Sequence, residues 1–345
     1  MILLQAPLRS PLAAGESDCS VTARPSWKPT VEFPFEPFRH EGELASQTST
    51  WIKFTILLCE PDKVYFQNSN VFAFHYDFAT SELDPFKGMS NEEYDQVTLH
   101  AANQQAVLGA VLFPKTFSDW PPQEFGVQLV RQDPYTVDEI VSLVETVSSK
   151  VIGAPGLRTF YFPAHEQAGF AREHEEELRS RGVEISTPAR WANDDIVYSP
   201  GWALGRLRFV ESSRIEDAYV SKELLPSDIL ITDGVPAEIP FVQGIISLEP
   251  STPNSHVAIL ANNFRVPFVT FISERDNDRA LELDGRRVIL RAHPRFDRPD
   301  VRLIDVEDEL DSQAIEELLA LKALPPLDIQ PVEHRGEVFV PVSEI

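Results

Sequence analysis

The sequence predicts a mixed α/β protein, and three observations carry that reading. Its 345 residues are 43% hydrophobic, enough apolar material to bury a core in each of two domains. Short runs rich in Val, Ile and Phe, the pattern of strands, recur along the chain. Between them lie segments whose apolar residues return every three or four positions, the pattern of helices packed on a sheet.

Taken in order, residues 1–48 carry Pro25, Pro29, Pro34 and Pro37 among Ser and Glu and keep neither period, which predicts an irregular leader. From Trp51 the residues Ile52, Phe54, Ile56 and Leu58 alternate with others, and Val64-Tyr65-Phe66 and Val71-Phe72-Ala73-Phe74 follow as short apolar runs, so three strands are expected. Ile140, Val141, Val144 and Val147 keep helical spacing, as does the charged run from Glu166 to Arg181 that closes at Gly182. A strand candidate, Arg158 to Phe162, lies between the two helices. Residues 49–190 therefore read as a mixed α/β domain.

A second region, residues 195–305, runs through strand candidates at Leu207 to Val210, Asp228 to Thr232, Gly244 to Ser247, Pro267 to Thr270 and Arg287 to Leu290. One helix, Ser255 to Phe264, interrupts them. Residues 306–345 are expected to form an acidic helix, roughly 308–322, and a tail whose Pro325, Pro326 and Pro331 read as a linker.

Charge narrows the partners. With 30 Lys plus Arg against 54 Asp plus Glu, the formal net charge of −24 repels nucleic-acid backbones and anionic membrane surfaces. No window reaches the length of a membrane span. Cys19 and Cys59 are too few for a disulfide framework or a four-cysteine zinc site, which points to a reducing compartment. A cytoplasmic protein is the expectation. The alternative is an exported lipoprotein, since Met1 to Leu4 and Pro11 to Gly15 resemble part of an export signal with Cys19 close behind.

The chemistry concentrates between Gly244 and Val269, which read as a strand, a polar turn, a histidine, a helix and a Pro-led strand. Asn254 or Ser255 is placed as N-cap, and Val257, Leu260, Ala261 and Phe264 form an apolar stripe. His256 then lies in the first turn and faces solvent. Unpaired amides and the positive helix end favour an anion there and disfavour imidazolium, so the imidazole is expected to be neutral and nucleophilic. Its attack on a phosphoryl group would place an anionic phosphoramidate at a helix terminus, with the hydroxyls of Ser251, Thr252 and Ser255 near at hand.

This segment resembles the phosphohistidine, or PEP-utilising mobile, domain of phosphoenolpyruvate synthase and pyruvate phosphate dikinase. Ser255, His256, Ala258, Ile259, Ala261, Pro267 and Val269 fall on matching positions of that family's histidine signature. Upstream, Gly201 and Gly205 in Tyr198 to Gly205 resemble its opening glycine pattern, and Asp228-Ile229-Leu230 resembles its strand before the histidine turn. Downstream, Asp284-Gly285-Arg286-Arg287-Val288 resembles the step that closes the domain. The likeness covers less than a third of the chain. It implies a β/β/α swivelling domain at 195–305, His256 as transient phosphoryl carrier, and Ser251, Thr252, Asn254 and Ser255 as phosphate-positioning groups. It further implies ATP and Mg²⁺ at an ATP-grasp partner domain, with an acceptor such as pyruvate at another site. The chain departs from the signature where Ser251 and Thr252 replace two glycines, Asn254 a threonine, Asn262 an arginine and Arg265 a glycine. These departures leave a second reading, a non-catalytic interaction module that keeps the swivelling fold.

Other candidates carry less. His75 and Asp77 sit in an apolar run where a strand would put them on one face, as a buried and satisfied pair. His165-Glu166 reads as a helix start, and Glu173, Glu175, Glu176 and Glu177 as a solvated helix face. Gly201 and Gly205 lack the following helix of a dinucleotide loop and are assigned to tight turns. No phosphate-cradling loop and no metal-ligand spacing is read anywhere, so no cofactor is assigned to the chain itself.

Overall fold

A computed structural model of the chain describes residues 25–33, 49–114, 122–153, 155–192, 194–293 and 299–322. The export-like stretch, Cys19 and the Pro-rich tail lie outside these residues. Among them the protein is mixed α/β, as its patterning predicts.

The first half is built on nine strands: β1 (Trp27–Lys28), β2 (Val31–Glu32), β3 (Ser49–Leu57), β4 (Tyr65–Gln67), β5 (Ala106–Pro114), β6 (Glu124–Val130), β7 (Val151–Ile152), β8 (Arg158–Tyr161) and β9 (Glu184–Ile185). Seven form one sheet in the order β1-β4-β3-β5-β6-β8-β9, while β2 pairs with β7 in parallel. Part of the expected leader is therefore structured. Trp27 and Val31 are buried, because each short strand has an edge to pair with and an apolar side chain to cover. β3 runs antiparallel to β5 over nine residue pairs and is buried on both faces. Its alternation of Ile52, Phe54 and Ile56 thus marks a central strand with apolar cover on each side rather than a half-solvated one.

Parallel pairing of β6, β8 and β9 requires helix-bearing crossovers, and the chain supplies them. α3 (Val137–Ser148) opens on a capping box in which Thr136 and Glu139 satisfy each other's backbone amides. The charged run after Pro163 breaks at His174 into α4 (His165–Glu173) and α5 (Glu175–Ser180), which end at Gly182 with φ +85°. Between β4 and β5 lie α1 (His75–Glu82) and α2 (Asn91–Thr98). The run Val71 to Phe74 is not a strand: it makes turns and leads into α1, so His75 and Asp77 lie in a helical first turn.

The second half has β10 (Ile196–Ser199), β11 (Gly201–Phe209), β12 (Ile229–Thr232), β13 (Gly244–Ser247), β14 (Phe268–Thr270), β15 (Arg287–His293) and β16 (Asp300–Asp305). They form a second sheet in the order β10-β14-β13-β12-β11-β15-β16, parallel from β11 through β14 and antiparallel at both edges. α6 (Ile215–Val220) and α7 (His256–Phe264) cover one face with Ile215, Ala218, Val257 and Ala261. On the other face, α8 (Glu274–Glu282) contributes Ala280 to a core with Ile231, Ile246 and Leu290. Gly201 and Gly205 lie within β11 and not in turns. A Cβ on Gly205 would come within 2.5 Å of the Ser227 carbonyl oxygen, so only a glycine lets the two segments approach.

Described residues up to Val306 make one compact unit and those from Glu307 another. The second holds α9 (Ser312–Ala320), capped by Asp311, whose side chain accepts from the Ala314 amide at 2.8 Å. No helix among the described residues is long and apolar enough to cross a membrane. Cys59, one of the two cysteines that pointed to a reducing compartment, is disulfide-bonded.

Candidate functional site

Sequence alone accounts for the local frame of His256. Ser255 has extended backbone angles and its Oγ accepts from the Ala258 amide at 3.1 Å, which caps α7 and makes His256 its first residue. Val257, Ala258 and Ala261 face the core. Leu260 is half-buried, and Phe264, expected to complete the apolar stripe, is 66% exposed because α7 ends there. Arg265 caps the helix at φ +55°. The position that Arg265 occupies is thus one where a glycine fits best, and an arginine there costs about 1 kcal/mol.

The turn before α7 is anchored on both sides. From below, the buried Tyr198 hydroxyl accepts from the Ser251 amide and donates to the Ser251 carbonyl, each at 2.9 Å. From the first half, Gln128 of β6 accepts at Oε1 from Asn254 Nδ2 at 3.1 Å and from Thr252 Oγ1 at 3.4 Å. Ser251 Oγ donates to Ser255 Oγ at 3.3 Å. The four residues expected to position a phosphate therefore lie together around His256. Two of them, Thr252 and Asn254, are buried and each donates to Gln128.

His256 is exposed to a cavity of about 1190 Å³ that both halves of the chain line. Its ring meets Phe74 edge to face, with centroids 5.3 Å apart. Partial withdrawal from water and the nearby charge of Lys53 lower its pKa, while Glu238 and Asp95 pull the other way. The net direction is downward, so the ring is neutral near pH 7, as the helix-start position suggests. Asp95 itself is raised, by burial first and by Glu238 second, with His256 and His100 opposing.

Lys53 escaped the sequence reading. It stands in the middle of β3 and is 4% exposed, with Nζ donating to the Ala73 carbonyl at 2.7 Å and lying 5.6 Å from the centre of the Phe74 ring. Burial pulls its amine down to about 8, against the opposing charge of Asp77. A lone cation inside the run Trp51 to Leu58 was the available signal. Phe74, Asp95, Gln128 and Glu238 gave none, because each enters the site from a different element or loop.

The histidines set aside from the sequence also line the cavity. His75 is engaged with backbone: Nε2 lies 2.9 Å from the Gly109 carbonyl, and burial and the Lys53 charge hold its pKa to about 3. Asp77 is exposed and does not pair with it. His165 begins α4 beside Gly234, where an added Cβ would lie 2.4 Å from Nδ1. Among the described residues no three His, Cys, Asp or Glu side chains are grouped to hold a metal ion. Comparison of the chain with protein-family models, with curated proteins and with solved structures gives no match.

Proposed function

We propose that the chain is a phosphotransfer protein in which His256 transiently carries a phosphoryl group between an ATP-grasp partner domain and a small acceptor such as pyruvate. The observation that carries this reading is an exposed imidazole in the first turn of α7, open to a cavity of about 1190 Å³. In the first step the lone pair of a ring nitrogen attacks a phosphorus of ATP on the partner. The N–P bond forms as a phosphoanhydride P–O bond breaks, and its electron pair leaves on the displaced nucleotide. In the second step an acceptor oxygen attacks the same phosphorus, and the N–P pair returns to the ring. The free amides at the start of α7 and the Ser255 hydroxyl receive the phosphoryl oxygens. Mg²⁺ and the nucleotide belong to the partner, since Mg²⁺ sites lean on the substrate's own phosphates. In this reading residues 195–305 form the β/β/α swivelling domain and travel between the two sites.

The test is the full chain mixed with candidate ATP-grasp partners and ATP labelled at all three phosphates, read as acid-labile protein phosphate. Label is expected on the wild type, lost in His256→Ala, and kept in His165→Ala and His75→Ala. Label that persists without His256 would overturn the assignment.

One observation favours the second reading, a non-catalytic interaction module. Thr252 and Asn254 each donate to Gln128, and Asp95 and Glu238 act on His256 with negative charge. Under that reading the same labelling experiment gives no acid-labile phosphate with any partner.

A further inference from the structure

Resting on the phosphotransfer reading, we infer that Lys53, from the other half of the chain, is the cation that holds the phosphoryl group on His256 and preserves the N–P bond. A phosphoryl group on a first-turn histidine needs an opposite charge as well as amides. α7 offers none, since His256 to Phe264 contains no Lys or Arg. Of the charged groups that act on His256, Asp95 from α2 and Glu238 from the loop after β12 are negative and Lys53 from β3 is positive. A phosphoryl dianion would be repelled by the first two and drawn toward the third.

The placement of Lys53 fits this role and has little structural justification otherwise. An ammonium 4% exposed in the middle of a central strand is costly unless its charge is used. Among the described residues no carboxylate comes within 4.0 Å of its Nζ; a backbone carbonyl and a ring face are its near contacts. Asp77 acts on it from a greater distance. The ring face belongs to Phe74, which also meets His256, so the cation and the carrier adjoin the same aromatic side chain. Two of the ammonium's three protons remain beyond the Ala73 bond, and the residue lines the same cavity as His256.

Lys53 also opposes loss of the phosphoryl group to water. Hydrolysis of a phosphoramidate begins with protonation of the ring, which makes the imidazole a good leaving group. A positive charge nearby disfavours that protonation, just as it lowers the pKa of the free ring. Lys53 is a positioning residue in this account, because it acts on the phosphoryl group and forms no bond to it.

The probe is phosphoramidate, a small donor that phosphorylates histidine without a partner protein, applied to the full chain and followed by ³¹P NMR. Wild-type phospho-His256 is expected to persist, and in Lys53→Met to decay several-fold faster, with the decay profile displaced toward higher pH. Lys53→Arg should restore most of the lifetime, which a mere packing role for the aliphatic stem would not explain. The His256 titration, followed by ¹H NMR in the unphosphorylated proteins, should rise in Lys53→Met. Equal decay in wild type and Lys53→Met would overturn the inference and leave the carrier reading standing. Failure of phosphoramidate to modify His256 at all would overturn both.

Discussion

At the scale of the residue, the environment of the cavity is set by which groups keep their charge. His75 is the clearest case. Two backbone carbonyls, of Gly109 and Phe54, favour its protonated form, yet burial and the Lys53 charge outweigh them and hold its pKa to about 3. The sign of the consequence follows from linkage. Below its unfolded value of 6.5 the unfolded chain takes up a proton at His75 that the folded chain refuses. This contribution to stability is intact above that value and is lost progressively as pH falls toward 3. His75→Gln, whose amide can still donate to the Gly109 carbonyl, should flatten the loss. Urea unfolding of the two proteins at about pH 7 and about pH 5 should show a gap that closes at the lower pH. A gap that stays constant would mean that His75 does not titrate in this way.

At the scale of the element, most of what positions His256 was legible. The helix start at Ser255 and the strands either side follow from local periodicity and turn chemistry, which act over a few residues, whereas the parallel order of the second sheet is a tertiary fact that no local period carries. The misreadings have one cause. Val71 to Phe74 is apolar because Phe72 packs on Phe78 of α1, with centroids 5.6 Å apart, and Phe74 reaches across to His256; neither partner is visible in the period of the run. Gly205 is placed by the approach of Ser227, again a tertiary demand. Caps, being local, offer a controlled comparison. Ser255→Ala and Thr136→Ala each remove a side-chain oxygen that accepts a first-turn amide, so each should lower stability by about 1 kcal/mol in denaturant titrations. Only Ser255→Ala should also lower phosphoryl incorporation at His256, because Thr136 caps a helix that does not line the cavity. Equal incorporation in both would remove Ser255 from the site.

At the scale of the whole molecule, the cavity exists because two separately cored sheets face each other. The first half is cored around Phe54, Val127 and Ile140 and the second around Phe268 and Ile231, with Ala189 of the first half packed against the second core. Polar contacts cross between them: Gln128 to Thr252 and Asn254, Glu166 accepting from the Ala237 amide at 2.8 Å, and an exposed Arg172–Glu249 pair at 3.1 Å. The Phe74–His256 contact adds one aromatic edge. Polar contacts of this kind exchange readily with water, and solvent-exposed ion pairs contribute about 0–1 kcal/mol, so these contacts are weak beside either core. A carrier that must release its cargo elsewhere needs such a joint. Residues 195–305 are therefore expected to reorient against residues 49–190, pivoting near Trp191 to Asp195, with Gln128 as the central tie. Nitroxide labels on Glu176→Cys and Glu216→Cys, both exposed positions, report the distance between the halves, and the disulfide-bonded Cys59 takes no label. The distance distribution should be broad or divided in the wild-type background and should shift further toward long distances in Gln128→Ala, which cuts two of the crossing hydrogen bonds. A single narrow distance that survives Gln128→Ala would mean that the halves form one rigid body and that the cavity in front of His256 does not open by swivelling.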